Sequence, residues 1–311
     1  MTLKGAHMKK KIIFLVGPTA VGKSEIAVRL AKKINAEIIS CDSMQIYKGM
    51  DILTAKPTRI QLKKIPHHLI GVIDPSKEYN VSRYRRDALH KIKEIFKKNK
   101  TPLFVGGTGL YMSILLDGIF KAKGESKKIR KQLFEEAKRI SSPVLHERLK
   151  KIDPQAAEKI HPNDTRRIVR ALEVFLVTGK PISVLQKERK GLADEYDVEV
   201  YCLNMPLEKL YKKINQRVDK MFAVGLVKEV KKLLKKKLSK TAQFAIGIRE
   251  LKNYFDGDCS LEQAKEMIKY NSRQYARRQL TWFRKDKRIK WIEVDSARCL
   301  NQIIDKIAKT I

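Results

Sequence analysis

Ile12-Ile13-Phe14-Leu15-Val16 runs straight into Gly17-Pro18-Thr19-Ala20-Val21-Gly22-Lys23-Ser24, and the join between these two stretches decides the fold. The uninterrupted apolar run reads as a strand buried on both faces. The octapeptide fits G-x-x-x-x-G-K-[ST], a loop whose backbone N–H groups surround a phosphate at the start of the next helix. Lys23 adds a point charge there, and Ser24 a hydroxyl for Mg²⁺. Ile26, Ala27, Leu30, Ala31 and Ile34 then recur on one helical face, with Lys32 and Lys33 elsewhere. Strand, loop and helix together predict a di- or triphosphate site. Read alone, the loop suggests a nucleoside triphosphate.

Working outward, Ala36-Glu37-Ile38-Ile39-Ser40 predicts a short buried strand that ends at Cys41-Asp42. A carboxylate just past the carboxyl end of a strand lies on the edge where α/β sheets bind ligands. Pro66 to Ile70 and Asp74-Pro75 read as turn-rich, followed by a helix carrying Ala88, Leu89, Ile92, Ile95 and Phe96. Pro102-Leu103-Phe104-Val105 predicts a third strand, with Gly106-Gly107-Thr108-Gly109 as its exit. This alternation argues an α/β fold: a doubly wound parallel sheet of the P-loop, nucleotide-kinase type.

From about Lys121 the pattern turns helical, so residues 123–194 are expected to form a helical insertion in a core made of 8–122 and 195–311. Within it, Asp164 offers a helix start and Gly179-Lys180-Pro181 a stop. Helical spacing puts Ile168, Leu172, Phe175 and Leu176 on one side and Arg166, Arg167 and Arg170 on the other. Val198 to Leu203 alternates like a strand returning to the first sheet. Ser260-Leu261-Glu262-Gln263 is a capping box opening a long helix, and Ile289 to Val294 reads as a last strand. Trp282 and Phe283 read as core residues ahead of base-stacking platforms. Residues 1–7 precede a second Met, Met8, and read equally as a leader or an extended start.

The 311 residues carry 68 Lys and Arg against 34 Asp and Glu, a formal net charge of +34. Twelve Lys or Arg against two acids fall within 209–240, and eight against one within 271–290. Such clusters are the electrostatic footprint of a polyanion. The alternative is a solvated face, and Lys231, Lys232, Lys235, Lys236 and Lys237 have that look opposite Val230, Leu233 and Leu234. Apolar runs are far short of the roughly 20 residues that span a bilayer, which predicts no membrane segment. Cys41, Cys202, Cys259 and Cys299 show neither C-x-x-C nor zinc spacing, which fits a reducing cytoplasm. Cys41 reads as a small buried residue at a strand end.

Taken together, seven blocks resemble the bacterial tRNA dimethylallyltransferases, also called tRNA isopentenyltransferases. They are Gly17 to Ser24, Asp42 to Tyr47, Gly49-Met50-Asp51 with Thr54-Ala55-Lys56-Pro57, Pro66-His67-His68-Leu69, Gly106 to Tyr111, His161 to Asp164 with Arg166-Arg167 and Arg170 to Glu173, and Arg278 to Phe283. Leu53 departs from a usual Gly, and Ile248-Arg249-Glu250 from a commoner Tyr-Lys-Glu. No Cys/His zinc element follows the last block, as expected for a bacterial short form.

The resemblance implies transfer of a dimethylallyl group from dimethylallyl diphosphate to N6 of adenosine 37, beside the anticodon of a tRNA, with release of diphosphate. Lys23 and the loop residues Gly17, Pro18, Thr19, Ala20, Val21, Gly22 and Ser24 would then hold the diphosphate with Mg²⁺ at Ser24, despite the family's nucleotide-binding label. Arg217 would be a second clamp, or part of the general basic face. Asp42 would accept the proton of the amine, or alternatively cap the segment after it or hold Mg²⁺ through water. Thr108 would orient the substrate. The implied tRNA contacts are Asp42, Ser43, Met44, Gln45, Thr108, Arg130 and the run Arg166, Arg167, Ile168, Val169 and Arg170; the charge clusters add Arg273, Arg277 and Arg278. Gln45's amide is a candidate reader of a flanking base. The protein is expected to be a cytoplasmic monomer.

Two other classes share parts of this pattern. A nucleotide kinase or an adenylate isopentenyltransferase needs the loop but neither the insertion nor the basic clusters. A non-catalytic RNA-binding protein needs the clusters but not Asp42.

Overall fold

The computed structural model describes residues 9–120, 126–294 and 299–310. The opening residues through Met8 and the expected start of the insertion at 121–125 lie outside this description, as does the side chain of Cys299. Six strands, β1 (Lys11–Val16), β2 (Ala36–Ser40), β3 (His67–His68), β4 (Thr101–Gly106), β5 (Asp197–Asn204) and β6 (Ile289–Glu293), form one sheet. Its order is β3-β2-β4-β1-β5-β6, and every pairing is parallel. His67–His68 thus adds an edge strand where the sequence suggested turns. Two residues carry no periodicity, and their strand character comes from pairing with Ile38 and Ile39.

β1 lies between β4 and β5 with Ile12, Ile13, Phe14 and Leu15 wholly buried, which is why its sequence is a continuous apolar run rather than an alternation. From it the chain goes out to β2 and β3, returns to β4 beside β1, and later crosses to β5 and β6 on the other side. The exits of β1, β2 and β4 therefore share the carboxyl edge of the sheet, where the winding reverses direction. Helix α1 (Lys23–Lys33) leaves the phosphate loop from Gly22 at φ 102° and buries Ile26, Ala27, Leu30 and Ala31. The helix Val81–Lys97, capped by Asn80 on the Arg83 amide, buries Tyr84, Ala88, Ile92 and Ile95. The 23-residue helix Leu261–Phe283 opens with the expected capping box between Ser260 and Gln263. It buries Phe283 completely, whereas Trp282 stays 39% exposed.

The chain divides into two compact units, residues 1–115 with 195–311, and residues 116–194. In the second unit the described residues are helical, and Leu133, Leu145, Leu149, Ile168, Val169 and Leu172 form a core of their own. Its helix Thr165–Thr178 is capped by Asp164 on the Arg167 amide and ends at Gly179 with φ 69°. Leu176, expected inside, is 45% exposed, while Val174 is buried in its stead. In the first unit, the helix Leu226–Leu234 buries Val230 and Leu233 and exposes Lys231 and Lys232. Lys235, Lys236 and Lys237 are exposed as well. That stretch of lysine is a solvated face.

Glu37 is a charged residue inside the sheet, 1% exposed on β2. Burial pushes its carboxyl upward, but hydrogen bonds from His68 (2.8 Å), Lys100 (3.0 Å) and Lys98 outweigh this and hold it at about 2. A carboxylate held below its unfolded value stabilises the fold above that value, and the contribution is lost as pH falls from about 4.5 towards 2. Glu37→Gln should lower stability at pH 7 by about 2 kcal/mol, because it removes one partner of a buried charge cluster. Urea unfolding of both proteins from pH 7 to 2.5 should show the gap closing below about pH 4.5.

Candidate active site

The phosphate loop folds back tightly against β5. A β-carbon on Gly17 (φ 144°) would lie 2.6 Å from the Leu203 carbonyl oxygen, so this position accepts glycine alone. Ala20 also takes positive φ, 64°. Val21 points into the core, leaving its backbone to the loop. Lys23 bends over the loop and donates from Nζ to the carbonyls of Gly17 (2.9 Å) and Pro18 (2.7 Å). Desolvation drags its pKa down to about 8; Asp42 opposes this and Arg217 adds to it. Ser24, at the start of α1, is exposed on the same cavity.

Arg217, from the helix Leu207–Ala223, reaches the loop and donates to Thr19 Oγ1 at 3.0 Å. Burial pulls its pKa downward, against the pull of Asp42. The guanidinium is therefore part of the phosphate cavity, not of the general basic surface.

The exit of β4 is built by close approach. A β-carbon on Gly106 would sit 2.1 Å from the Cys41 carbonyl oxygen, one on Gly107 2.1 Å from Gln279 Nε2, and one on Gly109 2.2 Å from Trp282 Cδ1. Gln279 is buried and uses both ends of its amide. Oε1 accepts from the Thr19 amide at 2.9 Å, and Nε2 donates to the Gly107 carbonyl at 2.9 Å. Its own block was visible in the sequence, but its role was not.

Asp42 Oδ1 accepts from the amides of Met44 (2.9 Å) and Gln45 (3.3 Å). It does cap the turn after it, and Oδ2 stays outside that bond. Thr108 Oγ1 accepts from the Ser43 amide at 3.0 Å, so β2 and β4 exits are tied side by side. Tyr275, also unassigned by sequence, lies beside Thr108; burial and the charge of Asp42 raise its pKa, against a hydrogen bond with Thr108 that lowers it, so the phenol stays protonated. The Cys41 thiol, buried and pushed up to about 12, is inert.

Two cavities meet here. One of about 630 Å³ is lined by Gly22, Lys23, Ser24, Asp42, Gly107 and Gln279 among others. The second, about 370 Å³, has Met44, Leu53, Ile214, Val218, Phe244 and Ile268 in its wall. Thr19, Asp42, Arg217 and Tyr275 line both. The first is polar with fixed cationic groups, and the second offers a hydrocarbon surface next to it. Sequence periodicity could not find the second wall, because its residues come from four distant segments. The oxygen donors available, the Ser24 hydroxyl and the Asp42 carboxylate, suit Mg²⁺, and no cluster of three His, Cys, Asp or Glu suited to a metal occurs among the described residues.

The expected RNA contacts divide. Arg278 is exposed and lines the second cavity, and Arg277 is exposed. Arg273 donates to Asn215 Oδ1 at 2.8 Å. Ser43 and Met44 line the second cavity. Gln45 does not present its amide to a base: Nε2 donates to the carbonyls of Thr54 and Ala55 at 3.2 and 3.4 Å. In the second unit Arg166 and Arg167 are exposed as expected. Ile168 and Val169, at 0% and 1% exposure, are core residues and cannot touch a macromolecule through their side chains. Arg170 is turned inward, sharing the wholly buried Glu173 with Arg130, each 2.9 Å from Oε2. Helical spacing places a residue on a face but does not reveal a buried carboxylate that draws two guanidiniums down.

The chain matches the model of the IPP transferase family over residues 45–286 and that of isopentenyl transferase over residues 10–70. It is 47% identical over 290 residues to a tRNA dimethylallyltransferase of Geobacter sulfurreducens, spanning 93% of each chain. With the tRNA dimethylallyltransferase of Carboxydothermus hydrogenoformans it shares 46% identity over 302 residues, 96% of this chain and 97% of the other. Among solved structures it is similar to the full-length tRNA isopentenylpyrophosphate transferase of Bacillus halodurans, with a TM-score of 0.71, 40% identity and coverage of 97% and 96%. A eukaryotic dimethylallyltransferase acting on tRNA gives a TM-score of 0.82 at 31% identity, covering 96% of this chain and 77% of that one.

Lys23 gives this site a pH signature. The ammonium form binds an anion, and a pKa near 8 means that the form is lost as pH rises through 8. The affinity for inorganic pyrophosphate, divided by that of Lys23→Arg at each pH so that the ligand's own titration cancels, should fall above pH 8 by up to about tenfold per pH unit. Calorimetry in two buffers of different ionisation enthalpy should detect more proton uptake on binding at pH 8.5 for the wild type than for Lys23→Arg.

Proposed function

This chain belongs to the IPP transferase family, and from that membership and the joined cavities we propose that it transfers a dimethylallyl group from dimethylallyl diphosphate to N6 of adenosine 37 in tRNA. The observation that carries this reading is the meeting of an anion cavity with a hydrocarbon-walled one at Thr19, Asp42, Arg217 and Tyr275. A phosphoryl-transfer enzyme needs the first cavity alone. The donor proposed here has both a diphosphate and an apolar chain, and the two cavities match its two halves.

In the proposed reaction the bond between the allylic carbon and the diphosphate oxygen breaks, leaving its electron pair on the diphosphate. The loop amides, Lys23 and Arg217 surround the group whose charge grows, so they stabilise the transition state more than the bound donor. Mg²⁺ held at Ser24 would add Lewis-acid stabilisation of the same oxygens. The exocyclic amine forms the new C–N bond and loses one proton, and Asp42, fixed by the Met44 and Gln45 amides, accepts it. Thr108 and Tyr275 frame the approach of the base, while the hydrocarbon wall keeps water from the electron-poor carbon. An unpaired anticodon loop lets the base leave its stack at small cost. Arg166, Arg167, Arg277 and Arg278 supply exposed cations for RNA phosphates.

No helix among the described residues is long and apolar enough to cross a membrane. We place the reaction in the cytoplasm with a monomeric enzyme, which gel filtration at micromolar concentration checks.

Incubation with dimethylallyl diphosphate should prenylate a tRNA anticodon stem-loop and leave free AMP untouched; ATP turnover with a nucleotide acceptor and no prenylated RNA would overturn this assignment. Asp42→Asn should reduce turnover by roughly 10²-fold or more while stem-loop affinity is retained. Arg167→Ala should weaken RNA binding and reduce the slope of log affinity against log salt by about one. An unchanged slope would mean that this arginine is merely solvated.

A further inference from the structure

Among the described residues no large hydrophobic side chain is more exposed than Phe244, at 69%. A lone apolar residue on a surface is ordinary; the place of this one is not, because it lines the second cavity at its open side. Ile214, Val218 and Ile268 in the same wall are 2%, 3% and 1% exposed, so they can shield a hydrocarbon chain from water and Phe244 cannot. Its backbone is nevertheless pinned. Phe244 ends the 3₁₀ turn Ala242–Phe244, with buried Ala242 and Ala245 on either side of it. Just ahead of the turn, Glu78 accepts from the Lys240 amide (2.9 Å) and the Thr241 hydroxyl (2.8 Å), and Ser239 Oγ from the Ala242 amide (3.2 Å). Gln243 folds back to donate to the Leu238 carbonyl at 2.9 Å. A side chain with so few rotatable bonds, on so fixed a support, holds its ring face out to solvent and loses little further entropy when that face is covered.

We propose that Phe244 is a stacking platform for the unpaired base next to the target adenosine, and so a residue that positions the RNA for transfer. The proposal rests on the prenyl-transfer reading above. An adenosine that leaves its stack takes a stacking face from each neighbour, and an aromatic ring at the mouth of the cavity restores one of those faces. Around the ring the cavity offers what the rest of a nucleotide needs. Arg278 is exposed on the same lining with its guanidinium 5.9 Å from the Tyr275 ring centroid, and Asp42 is the one acid among the described lining residues. A cation for the phosphate and a ring for the base are the two halves of single-strand recognition. The dimethylallyl tail has its cover deeper in, against Ile214, Val218 and Ile268.

The test measures anticodon stem-loop affinity and the KM for each substrate in wild type, Phe244→Ala, Phe244→Leu and Phe244→Trp. F244A should weaken stem-loop binding by about 5- to 150-fold, with the KM for dimethylallyl diphosphate unchanged. The slope of log affinity against log salt should stay as in wild type, because no cation is removed. F244L, apolar but not planar, should fall with F244A. F244W should keep wild-type affinity and add indole emission that the stem-loop quenches and inorganic pyrophosphate does not. Of two stem-loops made abasic immediately before or immediately after the target adenosine, one should bind wild type and F244A alike. Failure of wild type to bind the stem-loop would sink the RNA reading and this proposal with it, whereas a wild type that binds and prenylates RNA no better than F244A would overturn the platform alone. So would an effect confined to the donor KM, which would put the ring against the tail, or an F244L as tight as F244W, which would make it mere apolar cover. Thermal unfolding identifies a variant that does not fold, and if F244A is lost, an unquenched F244W overturns the proposal.

Discussion

A buried side-chain amide holds the reaction centre together. Gln279 sits in the long helix Leu261–Phe283, accepts from the phosphate-loop amide of Thr19, and donates to the carbonyl of Gly107 at the exit of β4. The loops following β1 and β4 belong to neighbouring strands, but nothing in strand pairing fixes one loop against the other beyond the sheet edge. Gln279 does so with two hydrogen bonds made in a place where leaving either group unpaired would cost about 1–3 kcal/mol. Gly107 follows from this closeness, because a side chain there would collide with the Gln279 amide, and its neighbour Gly106 is held to glycine by the Cys41 carbonyl. Gly107 is thus a packing requirement imposed by a helix residue 172 positions further along the chain, and Gly106 one imposed by the exit of β2.

Around that bridge the protein concentrates charge where water is scarce. Lys23 and Arg217 are both drawn downward in pKa by burial, which means the folded enzyme holds two cations at some cost in the absence of an anion. Asp42 offsets part of it. Such a site is preorganised for negative charge: the desolvation has already been met by folding, and on the proposed reading an incoming diphosphate would find its partners in place. Glu37 shows the contrasting use of a buried charge. It is fully partnered by His68, Lys98 and Lys100, faces no cavity in this group of contacts, and serves to fasten β2 to the edge strand and to the start of β4.

Much of this was legible from the chain. The apolar run of β1, the phosphate loop, the strand ending at Asp42 and the capping box of the long helix are local signals, and each formed as expected. What escaped was every feature that depends on two distant segments meeting. Gln279 and Tyr275 lie within a helix whose sequence announces only a helix. Leu53 looked only like a departure from a usual Gly, yet it lines a cavity together with residues from helices near 214–221 and 268–278. The errors have the same origin. Ile168 and Val169 lie in an arginine-rich run, so position in sequence grouped them with their neighbours, whereas the helix turns them inward. Arg170 follows its predicted face but bends to Glu173, a carboxylate that periodicity counts as polar and therefore outward.

The phosphate loop is neutral as to which atom is attacked. Its amides and lysine favour an anion whose charge is increasing, whether that anion is a transferred phosphoryl group or a departing diphosphate. The choice is made by what adjoins the loop. In a phosphoryl-transfer site the neighbouring space has to bring a nucleophile in line with phosphorus. In this chain the space beyond Thr19 and Arg217 is walled by Ile214, Val218, Ile268 and Leu53, which offer nothing to a phosphate and a good deal to a carbon chain. On the proposed reading, the electrophile therefore lies at the carbon attached to the diphosphate, at the boundary between the two cavities, and Asp42 stands at that boundary. A single fold serves both chemistries because the cradle stabilises the leaving charge in either case, and only the second cavity decides which bond leaves with it.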